Sequence, residues 1–256
     1  MKIAAGSARL ATGLLDSLLP PVCISCSVTV APGRAPLCGP CESRLQEIPG
    51  PRCPRCGYTR LSDLAVAERC AECADWPDEL IRADSPFLFV PPAVRLVHGL
   101  KYAGWTSLAP RMGALMGPVA RRIRSEPTVL VPVPLTAARR RERGYNQARL
   151  IAEGLGEALG WPVQPLLRRA SADRRQARSG RRDRARNVAG AYSATAPRDS
   201  PEIAAGPGSG VVTLLVDDVI TTGATIAACA AALACAGVPC AGAVSFARTP
   251  PRTPGA

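Results

Sequence analysis

Before residue 75 the chain carries eight cysteines in four knuckles: Cys23-x-x-Cys26, Cys38-x-x-Cys41, Cys53-x-x-Cys56 and Cys70-x-x-Cys73, separated by 11, 11 and 13 residues. A two-residue gap lets both sulfurs of a knuckle point at one ion, and two knuckles complete the tetrahedral thiolate cage that Zn²⁺ prefers. Four knuckles therefore predict two zinc ions. All eight thiolates are then used and no coordination position stays open, so the metal is structural rather than catalytic. The surrounding stretch contains Pro32, Gly33, Pro36, Pro40, Pro49, Gly50, Pro51 and Pro54 and few apolar residues. It cannot fold on a core of its own, and metal must supply much of its folding free energy. Pairing knuckle one with two and three with four is simplest, although interleaved pairing satisfies the same spacing.

A disulfide framework is the alternative use of these cysteines, and it needs an oxidising compartment. The N-terminus argues against export. Lys2 precedes a mildly apolar stretch, but Arg9 and Asp16 interrupt it, and Val22 before Cys23 is not the small residue that signal processing favours. Reduced thiols and a cytoplasmic location are the expectation. Leu10, Leu14, Leu15, Leu18 and Leu19 recur at helical spacing up to Pro20 and Pro21, which predicts a short amphipathic helix. Cys229, Cys235 and Cys240 stand apart in or after an Ala-rich run and read as small buried residues.

The chain's 256 residues leave room for a full domain beyond the cysteine-rich segment. Its longest apolar stretches, Val211–Val216 and Ala227–Ala236, fall well short of the roughly 20 residues a spanning helix needs, so no membrane span is predicted. Net charge is +12 and lysine occurs only at positions 2 and 101, so the cations are almost all arginine, the better partner for phosphate. Arg139 to Arg186 alone holds fourteen arginines against five acids. One segment thus dominates the field of the chain, whereas isolated residues such as Arg9 or Arg60 read as solvated surface.

Chemistry concentrates in Val211-Val-Thr-Leu-Leu-Val-Asp217-Asp218-Val-Ile-Thr221-Thr222-Gly223-Ala-Thr225, followed by an Ala-rich run to Ala236. The pattern predicts an apolar strand that stops at two carboxylates, then a polar turn that opens a helix. Backbone N–H groups and threonine hydroxyls at a helix N-terminus favour an anion such as phosphate. Carboxylates just upstream suit ribose hydroxyls or Mg²⁺ and its waters.

Leu215 to Thr225 resembles the signature of type I phosphoribosyltransferases, which bind 5-phosphoribosyl pyrophosphate (PRPP). That resemblance implies that Asp217 and Asp218 address the ribose hydroxyls, flanked by Val219 and Ile220, while Thr221, Thr222, Gly223, Ala224 and Thr225 wrap the 5-phosphate. Val129-Leu-Val-Pro-Val-Pro134 with the basic loop Arg139-Arg-Arg-Glu-Arg-Gly-Tyr-Asn-Gln147, then His98-Gly-Leu-Lys-Tyr-Ala-Gly104, Gln176 and Asp183 to Tyr192, are similar to the ComF family. With the four knuckles, the likeness runs over most of residues 14 to 247. It implies that Lys101, Asn146 and Gln147 join the PRPP site, with a surface helix position the alternative for Lys101. Arg143 would act beside Asp217 and Asp218 in catalysis, stabilising the departing charge. PRPP would be held with Mg²⁺. Single-stranded DNA and other DNA-uptake proteins would be partners in natural transformation.

The chain departs from those relatives at Ser179, where a Leu is usual, and in Ser193–Gly210, which lengthens the approach to the strand. Arg168 to Arg186 is dense in arginine and lacks apolar anchors, which predicts a loop that closes over pyrophosphate. His98, the single histidine, has no accompanying nucleophile and reads as structural. Trp76, Trp105 and Trp161 lie far apart and read as packing residues.

Strands are predicted near Phe87–Val90, Val129–Val133, Val163–Leu167, Val211–Val216 and Ala241–Phe246, with a further apolar run at Val188–Tyr192. Helices are predicted near Pro92–Tyr102, Ser107–Arg124, Ala148–Leu159 and Ala224–Ala236. The alternation implies an α/β domain with a parallel-rich sheet of the phosphoribosyltransferase kind. The expected organisation is an N-terminal helix and double zinc ribbon over 1–80, the α/β domain over 81–247 and a disordered tail over 248–256. Two functions suit it. One is an enzyme that transfers phosphoribose to an unidentified acceptor with release of pyrophosphate. The other is a non-catalytic PRPP-binding protein that handles single-stranded DNA.

Overall fold

Short apolar runs bounded by Pro, Gly and charged residues build a parallel sheet with a core on each face. The computed structural model describes residues 21–31, 36–60, 70–170, 191–195 and 212–250. In chain order the strands are β1 (Ala83–Asp84), β2 (Phe87–Leu88), β3 (Val129–Pro132), β4 (Leu167–Arg169), β5 (Tyr192–Ala194), β6 (Thr213–Ile220) and β7 (Cys240–Arg248). The sheet runs β1-β7-β6-β3, with β2 also on β7, and every pairing in it is parallel. Strands β4 and β5 form a separate antiparallel ribbon. Besides a four-residue helical turn at Gly39–Glu42, the helices are α1 (Ala93–Tyr102), α2 (Ala109–Ile123), α3 (Ala137–Arg143), α4 (Gln147–Leu159) and α5 (Ala224–Cys235).

Period-two alternation divides the sheet between two cores. Leu130, Leu214, Val216 and Val244 pack with Met112 and Met116 of α2 and Ile151 and Leu155 of α4. Val129, Val131, Leu215 and Ala243 pack with Ile226, Cys229 and Leu233 of α5. Helices α2 and α4 touch backbone to backbone: a Cβ on Gly113 would lie 2.4 Å from Leu155 N, and one on Gly154 would lie 2.5 Å from Pro110 Cα. Helix α4 starts where the Asn146 side chain accepts from Ala148 N at 3.0 Å and stops at left-handed Gly160.

The cysteine knuckles join these cores instead of standing apart. Cys23, Leu37, Cys41 and Leu45 belong to the α2/α4 core. Cys53, Cys56, Cys73, Trp76 and Leu80 belong to the α5 core. The two halves of the module thus straddle the sheet, one on each face.

The α/β class and parallel sheet agree with the sequence, while four local features differ. The basic stretch expected as a loop contains α3, which starts where Thr136 Oγ1 accepts from Arg139 N and ends at left-handed Gly144. The strand expected over Val163–Leu167 begins only at Leu167, because Pro162 and Pro165 withhold ladder donors; Val163 keeps a single bridge to Leu130. Strand β6 does not stop at the two carboxylates but carries them and ends at Ile220. Arg248, expected to open the tail, ends β7 and is only 1% exposed. The expected helix over residues 10–19, Gln176, Ser179 and most of Asp183–Tyr192 lie outside the described residues. No described helix is long and apolar enough to cross a membrane.

Candidate functional site: two thiolate cages and an acidic strand end

Each knuckle pair is a local repeat. Val22 bridges Thr29 and Arg52 bridges Thr59, so Cys23–Cys26 and Cys53–Cys56 sit in matching tight turns closed by Cys23 N to Val28 O (2.7 Å) and Cys53 N to Tyr58 O (2.8 Å). The structure selects sequential pairing: Cys23, Cys26, Cys38 and Cys41 converge, as do Cys53, Cys56, Cys70 and Cys73, with all four ligand atoms of each set within 4.8 Å of one another. Sulfur separations of 3.4 Å (Cys56–Cys70), 3.6 Å (Cys26–Cys38) and 3.9 Å (Cys53–Cys73) bracket the roughly 3.8 Å that a tetrahedron with Zn–S bonds of ~2.3 Å requires. Burial opposes ionisation of Cys23, but backbone N–H groups, Cys38 first, bring it down to about 6; Cys53 falls to about 7 against its own burial through Cys56 and Arg55. One sulfur in each cage is thus predisposed to be a thiolate, the form that binds metal. The two sites fit two zinc ions.

The carboxyl end of β6 carries the acids. Asp218 is buried on the side of α1, where Lys101 Nζ lies 2.8 Å from its Oδ1. Its Oδ2 is buried with no hydrogen-bond partner among the described residues. Asp217, partly buried, is on the side of α5 within electrostatic reach of Arg169, and its Oδ1 accepts from Asp218 N at 2.8 Å. Burial, then the Asp218 charge, pushes Asp217 up to about 8. The strand end therefore holds one carboxylate fixed by a cation and one that is reluctant to ionise.

After Ile220 the chain turns through exposed Thr221 and Thr222 into left-handed Gly223 (φ 81°), the N-cap of α5. Thr222 Oγ1 accepts from Ala224 N at 3.4 Å at the start of α5. Gly223 is required here for a second reason: a Cβ would lie 2.2 Å from Trp76 Cζ2.

Residues 14–74 match the double zinc ribbon domain family. Over 217 residues the chain is 30% identical to the DNA utilization protein YhgH of Salmonella typhimurium, covering 82% of this chain and 88% of that one. It is 26% identical over 214 residues to competence protein F of Haemophilus influenzae (80% and 86% covered), and 26% over 197 residues to competence protein ComFC of Bacillus subtilis (74% of each). The chain belongs to the ComF family.

In this ComF chain the remaining expected residues gather around the end of α1. Arg143 donates to Gln147 Oε1 at 3.0 Å and stacks on Tyr102 (5.1 Å), and the Tyr145 hydroxyl donates to Leu100 O. Asn146 uses both ends of its amide within the fold, capping α4 and donating to Val133 O at 3.0 Å. Asn146 and Gln147, which is buried, thus order the strand end. Beside them is a cavity of about 780 Å³ whose wall includes Arg140, Arg141, Arg149, Arg168 and Arg169, with Tyr145 between α3 and α4. Of the predicted closing loop, residues 168–170 are described and 171–186 lie outside the described residues.

In this ComF chain Trp76, which the sequence reads only as packing, reaches the turn, and Arg248 packs behind it. Trp76 Nε1 donates to Thr222 O at 3.3 Å. Arg248 stacks on Tyr58 (5.0 Å) and Trp76 (5.9 Å) and donates to Cys56 O at 2.7 Å. A tryptophan three residues after the last knuckle cysteine is the only local hint; an arginine closing an apolar strand offers none.

Proposed function

We propose that this chain binds PRPP with Mg²⁺ at the end of β6 and transfers its phosphoribose to an acceptor. The observation that carries this reading is the buried Oδ2 of Asp218, which has no hydrogen-bond partner among the described residues and lies just before the turn into the N-terminus of α5. An orphaned buried acceptor is costly unless a ligand donor satisfies it, and a ribose hydroxyl or a hydrated cation is such a donor. Thr221 to Thr225 would take the 5-phosphate, where helix dipole and backbone N–H groups act together.

Asp217 and Asp218 would hold the hydroxyls and the ion, which when bound neutralises charge on the departing pyrophosphate. Lys101 pairs with Asp218 Oδ1 and orients its carboxylate. Arg143, immobilised between Tyr102 and Gln147, would stabilise negative charge that develops as the bond to ribose C1 breaks. Calorimetry tests the site: Asp217→Ala and Thr222→Ala should each weaken PRPP·Mg²⁺ by about 1–3 kcal/mol. Unchanged affinity in both would refute it. Turnover is tested separately by pyrophosphate release with a panel of bases.

A second reading, a DNA-handling PRPP-binding protein, is favoured by the arginine-lined cavity beside α3 and by the names of the relatives. Arginines spaced over a helix and a strand suit a phosphate backbone, with Tyr145 available for stacking. Binding of single-stranded DNA that falls steeply as salt rises, without pyrophosphate release, would favour it over the enzyme.

A further inference from the structure

The half of the zinc module on the α5 face is built into the turn that the proposed function assigns to the 5-phosphate. Arg55, between two cage cysteines, donates to Cys73 O (3.1 Å), Trp76 O (3.1 Å) and Pro77 O (2.7 Å), so the second cage fixes the backbone that carries Trp76. Trp76 N donates to Cys73 O at 3.2 Å. Its indole N–H then reaches Thr222 O, and its ring fills the space a Cβ on Gly223 would occupy. Behind the ring, Arg248 ties the end of β7 to Cys56 O. Tyr58 and Glu72 of the module face Thr221, Thr222, Thr249 and Pro250 across a shared cavity of about 440 Å³. The first cage makes its contacts on the other face: Glu42 pairs with Arg111, and Ser25 O accepts from Arg95.

We propose that Trp76 is a positioning residue for the Thr221–Thr225 turn, and that through it metal in the Cys53/Cys56/Cys70/Cys73 cage and a phosphate at the turn stabilise each other. This rests on the phosphate reading of the turn. A carbonyl held by an indole N–H cannot rotate, so the first donors of α5 stay aimed at the anion. Without the second metal the segment 70–77 keeps only its bonds to Arg55, which itself sits between two cage cysteines, so Trp76 loosens and the turn loses its outer wall. The coupling is specific to one cage, because the other lies against α1 and α2. Linkage makes it reciprocal: phosphate at the turn holds the second metal by the same factor that the metal tightens phosphate.

The test uses the full zinc-loaded chain with ribose 5-phosphate and PRPP·Mg²⁺ as probes. Trp76→Phe, which keeps a ring but removes the N–H, should weaken both by the same factor, about three- to tenfold, since the 5-phosphate is the group they share. Ribose 5-phosphate should slow chelator-driven release of one of the two zinc ions in the unsubstituted chain and of neither in Trp76→Phe. Cys26→Ser should leave ribose 5-phosphate affinity unchanged, while Cys70→Ser should lower it at least tenfold. Unchanged affinity in Trp76→Phe, or weakened affinity with no zinc ion protected, overturns the coupling while PRPP binding to the unsubstituted chain keeps the site reading intact. Failure of the unsubstituted chain to bind either probe overturns both.

Discussion

Lys101 Nζ lies 2.8 Å from Asp218 Oδ1, so the single lysine beyond position 2 neutralises the more deeply buried of the two strand-end carboxylates. The Asp218 side chain is 5% exposed and that of Lys101 is 20% exposed, so the pair is poorly screened by solvent. Helix α1 is held against β6 at the point where the site begins.

Removing the cation leaves an uncompensated buried charge. Lys101→Met should destabilise the chain by about 3 kcal/mol in urea unfolding at neutral pH. The double variant Lys101→Met/Asp218→Asn should recover most of that loss. Equal stability of the two variants would show that the ion pair does not carry the effect.

Asp217 gives a pH dependence of defined sign. With its carboxyl raised from 3.8 to about 8 by burial and by Asp218, the folded form keeps a proton that the unfolded chain releases. Its contribution is fully present below about pH 4 and is lost as pH rises through about 8. Asp217→Asn removes the dependence, so in thermal melts of ligand-free protein its Tm advantage should be larger near pH 8.5 than near pH 5. A pH-independent difference would contradict this.

Metal analysis should give two zinc ions per chain. Chelation should lower the Tm of the entire chain, by about 5 °C or more, the shift that ~2 kcal/mol produces at this size. The reason is packing: Leu37 and Leu45 sit in one core and Trp76 and Leu80 in the other. An α/β domain that melts unchanged after chelation would show the cages to be separate units.

Gly113→Ala should destabilise by about 3 kcal/mol, because its Cβ would meet backbone atoms, Leu155 N at 2.4 Å and Ile151 O at 2.5 Å, that cannot move aside. Gly117→Ala, whose Cβ meets nothing closer than Leu159 Cδ2 at 3.4 Å, should be tolerated. Denaturant midpoints of the two variants decide the point.

Features encoded by local spacing were legible in the sequence. The Cys-x-x-Cys gaps announce cages, and an apolar run followed by two acids and a Thr/Gly turn announces a strand opening a helix. Legibility ends where segments distant in sequence meet. The spacing leaves knuckle pairing open, and it says nothing of which face each cage covers. Helix α3 is hidden because its seven residues bury none of their side chains, leaving no apolar period to detect. The extension of β6 through Asp217 and Asp218 contradicts strand propensity, and it holds because Asp217 and Val219 lie in register with Ser245 and Ala247 of β7. Trp76 reads as packing from its sequence; only the fold brings its indole to Thr222.

The hydrogen bond from Arg248 to Cys56 O joins residues 192 positions apart. At translation speeds of ~5–20 residues per second, roughly 10–40 s separate the synthesis of its two ends. During that interval the second cage can already hold its ion, because its ligands are close in sequence. The faces of Tyr58 and Trp76 still have no strand to rest on. Zinc loading and docking are therefore distinct events in the birth of the chain, and the metal keeps the early segment ordered until the last strand arrives to cover it.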